Sequence, residues 1–328
     1  MSLANDDLVQ MYRWMVLTRT FELTVNDLFR QRGVPEIQHS SVGEEAIGVG
    51  ACYGLRRQDV IIPSLRCRAA FLVKGVPPKV IMAAMFGKDT LQCGGKNTSH
   101  HLGDLDVGII AGSGVIGASI PLAVGAALGC KLKKTDRVTL SFFGDGSTNT
   151  GNFHEAVNLA AALKLPIIFI CENNQYGMSM PVASVLCAES IACRAASYGI
   201  PGVEIDGNDV LAVYDAVQEA IQRAKGDPPQ PTLIECKTYR WHGHSEGDPP
   251  DAVYRSEEEV EEWKQKCPIK RFREKLLKDG ILTEEMVKKI DNETRVEVDE
   301  AIKFADDAPY PDVGKMLEDV YAPLSEEV

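Results

Sequence analysis

Two apolar strand patterns joined by one helix pattern, between residues 137 and 171, place the strongest constraint on this fold. The first apolar run covers residues 137–143 and is followed by Gly144-Asp145-Gly146; the second covers 166–171. Residues 152–164 between them are predicted to form a helix. Two strands connected through a helix run parallel and usually lie close together in one sheet. The segment therefore predicts a βαβ unit.

The βαβ pattern continues along the chain. A third apolar run, at 232–236, follows a helix predicted at about 209–223. We therefore predict an α/β fold with a parallel sheet and helices on both faces. This central domain is assigned to residues 36–255, with an N-terminal helical arm at 1–35 and a C-terminal helical tail at 256–328.

Composition excludes several classes of protein. The 328 residues carry 47 acidic against 35 basic side chains, a net charge of −12 that disfavours binding to a nucleic acid backbone. Residues 107–130 carry no charge, but they are rich in glycine and alanine, so we predict a buried loop and helix and no membrane span. Nine cysteines without a Cys-x-x-Cys pair, and no signal peptide, indicate a cytoplasmic location.

Polar side chains follow the two strands of the βαβ unit. Asp145 comes after the first strand and Asn174 after the second, with the backbone carbonyl of Tyr176 just beyond. Ligands collect at the carboxyl ends of parallel strands, and three oxygen ligands leave open positions on Mg²⁺ for phosphate oxygens. Gly144 and Gly146 would let the backbone approach a diphosphate closely. We therefore predict a site for Mg²⁺ and a diphosphate at this edge.

Four separated motifs resemble those of the alpha subunits of thiamine diphosphate-dependent dehydrogenase components, the family that acts on pyruvate, acetoin and other 2-oxo acids. They occur in the order that the family shows and extend over most of the chain. The matching stretches are Gly43-Glu-Glu-Ala46, Gly114-Val-Ile-Gly117, residues 144–178 from the Gly-Asp-Gly turn to Cys171-Glu-Asn-Asn-Gln-Tyr-Gly-Met178, and Thr238-Tyr-Arg-Trp-His-Gly-His-Ser245 with Asp248-Pro249.

The resemblance implies a role for each matching residue. It implies thiamine diphosphate and Mg²⁺ as cofactors in the family's thiamine diphosphate-binding fold, and His244 as a catalytic residue that donates a proton or a hydrogen bond at the diphosphate or the active-site mouth. The implied metal ligands are Asp145, Asn174 and the Tyr176 carbonyl. The implied cofactor contacts are these three with Arg66, Gly114, Ile116, Gly144, Gly146 and His244.

Two stretches depart from the family pattern. Arg66 is preceded by Leu65, which cannot donate to a phosphate, whereas Arg68 could add a positive charge. Residues 97–101 read Asn-Thr-Ser-His-His where the family has Gly-Gly-Ser-Met-His. Both stretches contribute to the substrate and cofactor mouth in the family, so the identity of the substrate stays open.

The function implied is oxidative cleavage of a 2-oxo acid or acetoin and transfer of the acyl group to a lipoyl carrier. The family's beta subunit supplies the catalytic glutamate, so we predict an α2β2 assembly that works with a lipoyl-bearing acyltransferase core. Two alternatives remain: the cofactor-binding half of a split transketolase, and a catalytically inactive module for Mg²⁺ and diphosphate. Residues 172–177 and 242–245 favour the dehydrogenase.

Overall fold

A five-stranded parallel sheet lies at the centre of the computed structural model, which describes residues 3–90, 94–248 and 254–318. The strands of the described residues are β1 (Val60–Ile62), β2 (Thr139–Gly144), β3 (Ile167–Asn173), β4 (Tyr176–Gly177), β5 (Met180–Pro181), β6 (Gly202–Asp206) and β7 (Thr232–Lys237). The large sheet has the spatial order β1-β2-β3-β7-β6, and β4 and β5 form a short antiparallel pair.

The predicted βαβ unit is confirmed. β2 and β3 are parallel neighbours, with Phe142 opposite Ile170, and β7 continues the parallel order beyond β3. Two strands of the large sheet were not predicted, and neither was the short pair of β4 and β5. β1 has only three residues, and β6 lies at the sheet edge with no fully buried side chain, so neither carries a strong apolar pattern.

Ten α-helices surround the sheet in the described residues. They are α1 (Asn5–Arg32), α2 (Glu45–Tyr53), α3 (Arg68–Lys74), α4 (Pro78–Met85), α5 (Ser119–Leu132), α6 (Gly151–Ala162), α7 (Val210–Ala224), α8 (Glu257–Lys264), α9 (Pro268–Lys278) and α10 (Glu284–Asp307). None of them is long and apolar enough to cross a membrane.

Alternating strand residues build two apolar layers, one on each face of the sheet. Leu140 and Phe142 of β2 point into a layer shared with α2, α3, α4 and α7. Phe143 of β2, with Ile167 and Phe169 of β3, points into a layer shared with α5 and α6. Successive side chains of a strand point to opposite faces, so the continuous apolar runs of β2 and β3 reflect burial on both sides. The prediction of helices on both faces is confirmed.

The terminal helices pack on this central unit. α1 ends at Gly33, whose φ of +68° suits glycine, and α10 begins after Thr283, whose hydroxyl accepts from the Met286 amide. Met11 of α1, Ala46 of α2 and Leu276 of α9 belong to one apolar cluster. The division into arm, central domain and tail stays a prediction.

The uncharged segment 107–130 is only partly buried, so the prediction of a buried loop and helix was wrong for one of its faces. Ala123 and Ala127 of α5 are buried against the sheet layer. Leu122, on the opposite side of the helix, and Val115 and Ile116 in the preceding loop are exposed. The absence of charge in this segment therefore reflects an exposed apolar surface as well as a core.

Candidate functional site

A cavity of about 220 Å³ opens at the carboxyl ends of β1, β2 and β3. We call it the strand-end cavity. Its walls come from loops that follow these strands, from the loop before α5 and from the segment after β7. Its lining includes Arg66, Val115, Ile116, Gly144, Asp145, Gly146, Glu172, Asn174, Tyr176, Met178, Arg240, His39 and His244. This is the edge at which a parallel sheet binds its ligands.

Asp145 begins the short 3-10 turn that follows β2 and is 3% exposed. Burial raises the pKa of its carboxyl group to about 6, although the positive charges of Arg240 and Arg66 oppose the shift. Within the described parts of the chain it forms no ion pair. A buried carboxylate without a bonded cation fits a site that binds a metal ion.

Asn174 follows β3 and is also buried, with 6% of its surface exposed. Its amide Nδ2 donates to Oε1 of Glu44 over 3.2 Å. Its Oδ1 has no hydrogen-bond partner in the described residues. Buried polar atoms are rarely left unpaired, so this oxygen fits a cation in the strand-end cavity.

The Tyr176 carbonyl already has one donor. Nη1 of Arg240 donates to it over 2.8 Å, and Nη2 of Arg240 donates to the Met178 carbonyl. A carbonyl oxygen has two lone pairs, so one remains for a metal ion. The role of Tyr176 as a ligand stays a prediction.

The glycines differ in their positions. A Cβ on Gly144 would meet no atom within 4 Å, and one on Gly146 would lie 3.7 Å from Gly177 Cα, so both border open space. Ile116 lines the mouth of the strand-end cavity, whereas Gly114 lies in the same loop without lining it. Gly117 has a φ of +80°, and a Cβ there would lie 2.5 Å from Thr150 Oγ1, so the loop requires glycine at that position.

Arg66 lines the strand-end cavity from within the protein and is not a surface charge. It donates to the Ser40 carbonyl over 2.6 Å and to the His244 carbonyl over 2.9 Å. It therefore joins the loop before α2 to the loop after β7. Its nitrogen Nε lies 3.9 Å from Glu44 Oε1, so a carboxylate balances part of its charge.

Arg68 does not reach the strand-end cavity. It is buried, donates to Ser99 Oγ over 2.6 Å and to Gln38 Oε1 over 2.9 Å, and lies 3.4 Å from Glu22. The expectation that Arg68 adds a positive charge to a phosphate site was wrong. Its guanidinium group is bonded to a buried carboxylate and two polar side chains in the interior, so it is not available to bind a phosphate in the cavity.

Three histidines from separate segments meet beside the strand-end cavity, and two of them, His39 and His244, line it. The ring of His39 lies 5.0 Å from the ring of His100 and 5.0 Å from that of His244. Burial and the neighbouring arginine charges lower the pKa of His39 and of His244 to about 4 and that of His100 to about 2. His244 is therefore neutral near pH 7 and fits a hydrogen-bond donor better than an acid. Its catalytic role stays a prediction.

We expect His100→Gln to remove part of the acid sensitivity of the fold. The pKa of His100 lies below its usual value of 6.5, so its stabilising contribution is full above about pH 6.5 and is lost as the pH falls toward the folded-state value. Between about pH 7 and about pH 5, the wild type should lose stability faster than the variant, by less than about 1.4 kcal/mol per pH unit, because Glu36 Oε1 lies 3.4 Å from His100 Nε2 and favours the charged imidazolium. Urea unfolding of both proteins across this range measures the difference, and parallel curves would contradict the expectation.

Four ionisable residues of the site were not predicted from the sequence. His39, Glu44, Glu172 and Arg240 are buried or half-buried at the strand-end cavity or directly behind it. Three of them, Glu44, Glu172 and Arg240, lie within the four family motifs. Their position in these motifs could have identified them as site residues. Pro249 of the last motif lies outside the described residues.

A model of the family described as "Dehydrogenase E1 component" matches residues 12–314. The chain is 42% identical over 324 residues to the alpha subunit of an acetoin:2,6-dichlorophenolindophenol oxidoreductase of Bacillus subtilis (strain 168), covering 98% of this chain and 95% of the relative. It is 39% identical to the alpha subunit of a 2-oxoisovalerate dehydrogenase of the same organism, covering 98% and 97%. A pyruvate dehydrogenase E1 component alpha subunit of Rickettsia felis is 33% identical, with 97% and 96% covered.

These similarities extend over nearly the whole chain. The three relatives carry dehydrogenase or oxidoreductase names, which supports the predicted enzyme class and neither the split transketolase nor the inactive module. The family depends on thiamine diphosphate, and the open, glycine-bordered strand ends fit a diphosphate. The chain belongs to the dehydrogenase E1 component family, as an alpha subunit.

Proposed function

We propose that this chain is the alpha subunit of an enzyme that uses thiamine diphosphate and Mg²⁺ to cleave acetoin or a short 2-oxo acid and to pass the acyl group to a lipoyl carrier. The observation that carries the proposal is the pair of buried oxygens at neighbouring strand ends. The Asp145 carboxylate has no ion-pair partner and Asn174 Oδ1 has no hydrogen-bond partner in the described residues. Carboxylate and amide oxygens are ligands that Mg²⁺ accepts.

In this proposal the residues of the chain bind and orient the phosphate end of the cofactor. Asp145, Asn174 and the Tyr176 carbonyl hold the metal ion, and Gly144 and Gly146 give the diphosphate close access to the backbone. When bound, thiamine diphosphate supplies a ring carbon that attacks a carbonyl group and a ring that accepts the resulting electron pair. The neutral imidazole of His244 donates a hydrogen bond at the mouth, and Ile116 excludes water there.

A second chain completes the site in this proposal. Val115, Ile116 and Met178 line the mouth of the strand-end cavity and are 67%, 55% and 62% exposed. Exposed apolar side chains that cluster at the mouth of a ligand cavity are typical of a surface that another protein covers. The relatives are named as alpha subunits, which supports a beta subunit as that protein. The α2β2 composition and a lipoyl-bearing acyltransferase core belong to the same proposal.

The choice of substrate is supported by the names of the relatives and by one sequence motif. The three relatives are named for acetoin, 2-oxoisovalerate and pyruvate. Residues 241–249 resemble acetoin-type chains, so we favour acetoin or a short 2-oxo acid. A cytoplasmic location is part of the proposal, since six of the described cysteines are buried as small apolar side chains.

Coexpression with a candidate beta subunit tests this function. The purified pair should reduce an artificial electron acceptor with acetoin or a 2-oxo acid when thiamine diphosphate and Mg²⁺ are present. The chain alone should bind the cofactor without turnover, because the partner supplies the catalytic glutamate. Turnover by the chain alone would refute the shared site, and exchange of sugar phosphates by the pair would indicate a transketolase.

A further inference from the structure

Glu44 stands directly behind Asn174, on the side away from the strand-end cavity. It is buried directly before α2. Its two carboxylate oxygens lie 3.2 Å and 3.5 Å from Asn174 Nδ2. It does not line the cavity, whereas Asn174 does. Glu44 therefore contacts the cavity only through its neighbours.

The contact between Glu44 and Asn174 decides which end of the amide faces the cavity. An asparagine side chain has one donating and one accepting end, and the two have almost the same shape. Burial raises the pKa of Glu44 to about 8, and the charge of Arg66 opposes the shift. In its carboxylate form the group only accepts, so it selects the Nδ2 end. Oδ1 is then directed away from Glu44 and has no partner within the described chain. The reversed amide would bring two oxygens together and would present N–H groups to the cavity.

We propose that Glu44 is a positioning residue, which holds the Asn174 amide so that its oxygen is presented to the metal ion. The inference rests on the proposed function, because it concerns the Mg²⁺ that accompanies the cofactor. Glu44 acts through Asn174 and touches neither cofactor nor metal. Residues that orient metal ligands typically contribute about 10- to 100-fold to metal affinity.

Two substitutions of Glu44 separate this role from a structural one. Glu44→Gln can accept from Nδ2 through its oxygen or donate to Oδ1 through its amide, so it keeps the hydrogen bond but no longer selects one orientation. We expect it to raise the Mg²⁺ requirement by no more than about twofold, because about half of the molecules would still present Oδ1 to the cavity. Glu44→Met has a similar volume and no acceptor of comparable strength. We expect it to raise the Mg²⁺ concentration needed for half-maximal binding of thiamine diphosphate about 10- to 100-fold, measured by titration calorimetry on the assembled enzyme.

The control is another buried pair of glutamate and asparagine in the same chain. Glu235 accepts from Asn173 Nδ2 over 2.6 Å, and neither residue lines the strand-end cavity. Glu235→Met should lower the thermal stability and leave the Mg²⁺ requirement unchanged. A general loss of packing would change both variants alike.

A double-mutant cycle with Asn174→Asp gives the decisive result. An aspartate presents an oxygen in either orientation, so Glu44 has nothing left to select. In that background, Glu44→Met should no longer raise the Mg²⁺ concentration needed for half-maximal binding. Relief of the repulsion between two carboxylates would lower that concentration. An equal loss in both backgrounds would overturn the inference, and so would a Glu44→Met enzyme with the wild-type requirement.

Two further outcomes are distinguishable. If the wild-type enzyme binds thiamine diphosphate without any Mg²⁺ dependence, the proposed function fails before Glu44 is tested. If Glu44→Met does not fold, the Glu44→Gln enzyme still tests the inference. A 10-fold higher Mg²⁺ requirement in a folded Glu44→Gln enzyme would show that an acceptor at this position is not sufficient and would overturn it.

Discussion

Asp145→Asn should weaken the Mg²⁺-dependent binding of thiamine diphosphate by at least about 100-fold. Asp145 provides the one carboxylate of the predicted ligand set, and an amide in its place carries no negative charge to attract the metal ion. Titration calorimetry at fixed Mg²⁺ concentration measures the loss. Glu189→Gln, which changes an exposed carboxylate outside the strand-end cavity, is the matched control and should bind as the wild type does.

The same substitution should leave the fold intact. Burial raises the pKa of Asp145 above its ordinary value of 3.8, so at neutral pH the folded protein maintains an unfavourable buried charge. Replacing it with a neutral amide removes that cost, and the melting temperature of the cofactor-free protein should not fall. Tight, Mg²⁺-dependent binding by Asp145→Asn would exclude Asp145 from the metal site.

Val115→Glu should separate this chain from its beta subunit. Val115 is highly exposed at the mouth of the strand-end cavity, so a glutamate there causes little strain in the isolated chain. In the assembly it would bury an unpaired charge, which costs about 3–5 kcal/mol and corresponds to a loss of affinity of more than about 100-fold. Analytical ultracentrifugation of the mixed subunits measures the dissociation.

The control for Val115→Glu lies at the opposite ends of the strands, on the side of their amino termini. Leu105 is 80% exposed and borders a groove near the amino end of β1. Leu105→Glu makes the same kind of change on a surface outside the proposed contact and should leave the assembly intact. If Leu105→Glu dissociated the subunits and Val115→Glu did not, the partner would have to bind near the amino ends of the strands and not at the mouth of the strand-end cavity.

The part of the site that was predictable from the sequence lies on consecutive elements. Asp145 and Asn174 end neighbouring strands of one βαβ unit, and its connectivity requires parallel strands whose carboxyl ends point the same way. The same logic predicted β7 and the helices on both faces. Strong apolar runs and short connections allow such a prediction without any knowledge of distant contacts.

The remaining features of the site depend on contacts between distant segments. His39, His100 and His244 meet only after three separate loops have packed together. Arg66 and Arg68 are two positions apart, yet one lines the strand-end cavity and the other binds Glu22 in the interior. Side-chain direction at the start of α3 decides between these outcomes, and residue type alone carries no information about it.

The two backbone carbonyls held by Arg66 have a kinetic consequence. If the guanidinium turns toward a bound phosphate, it must release the Ser40 carbonyl, the His244 carbonyl or both. Cofactor capture would then include a rearrangement of two loops, and its observed rate should level off at high cofactor concentration instead of rising linearly. Arg66→Lys, which cannot hold both carbonyls through one planar group, should raise that plateau while weakening the final complex. Stopped-flow mixing of the wild type and the variant with thiamine diphosphate would show whether the release of these carbonyls by Arg66 limits the rate of cofactor binding.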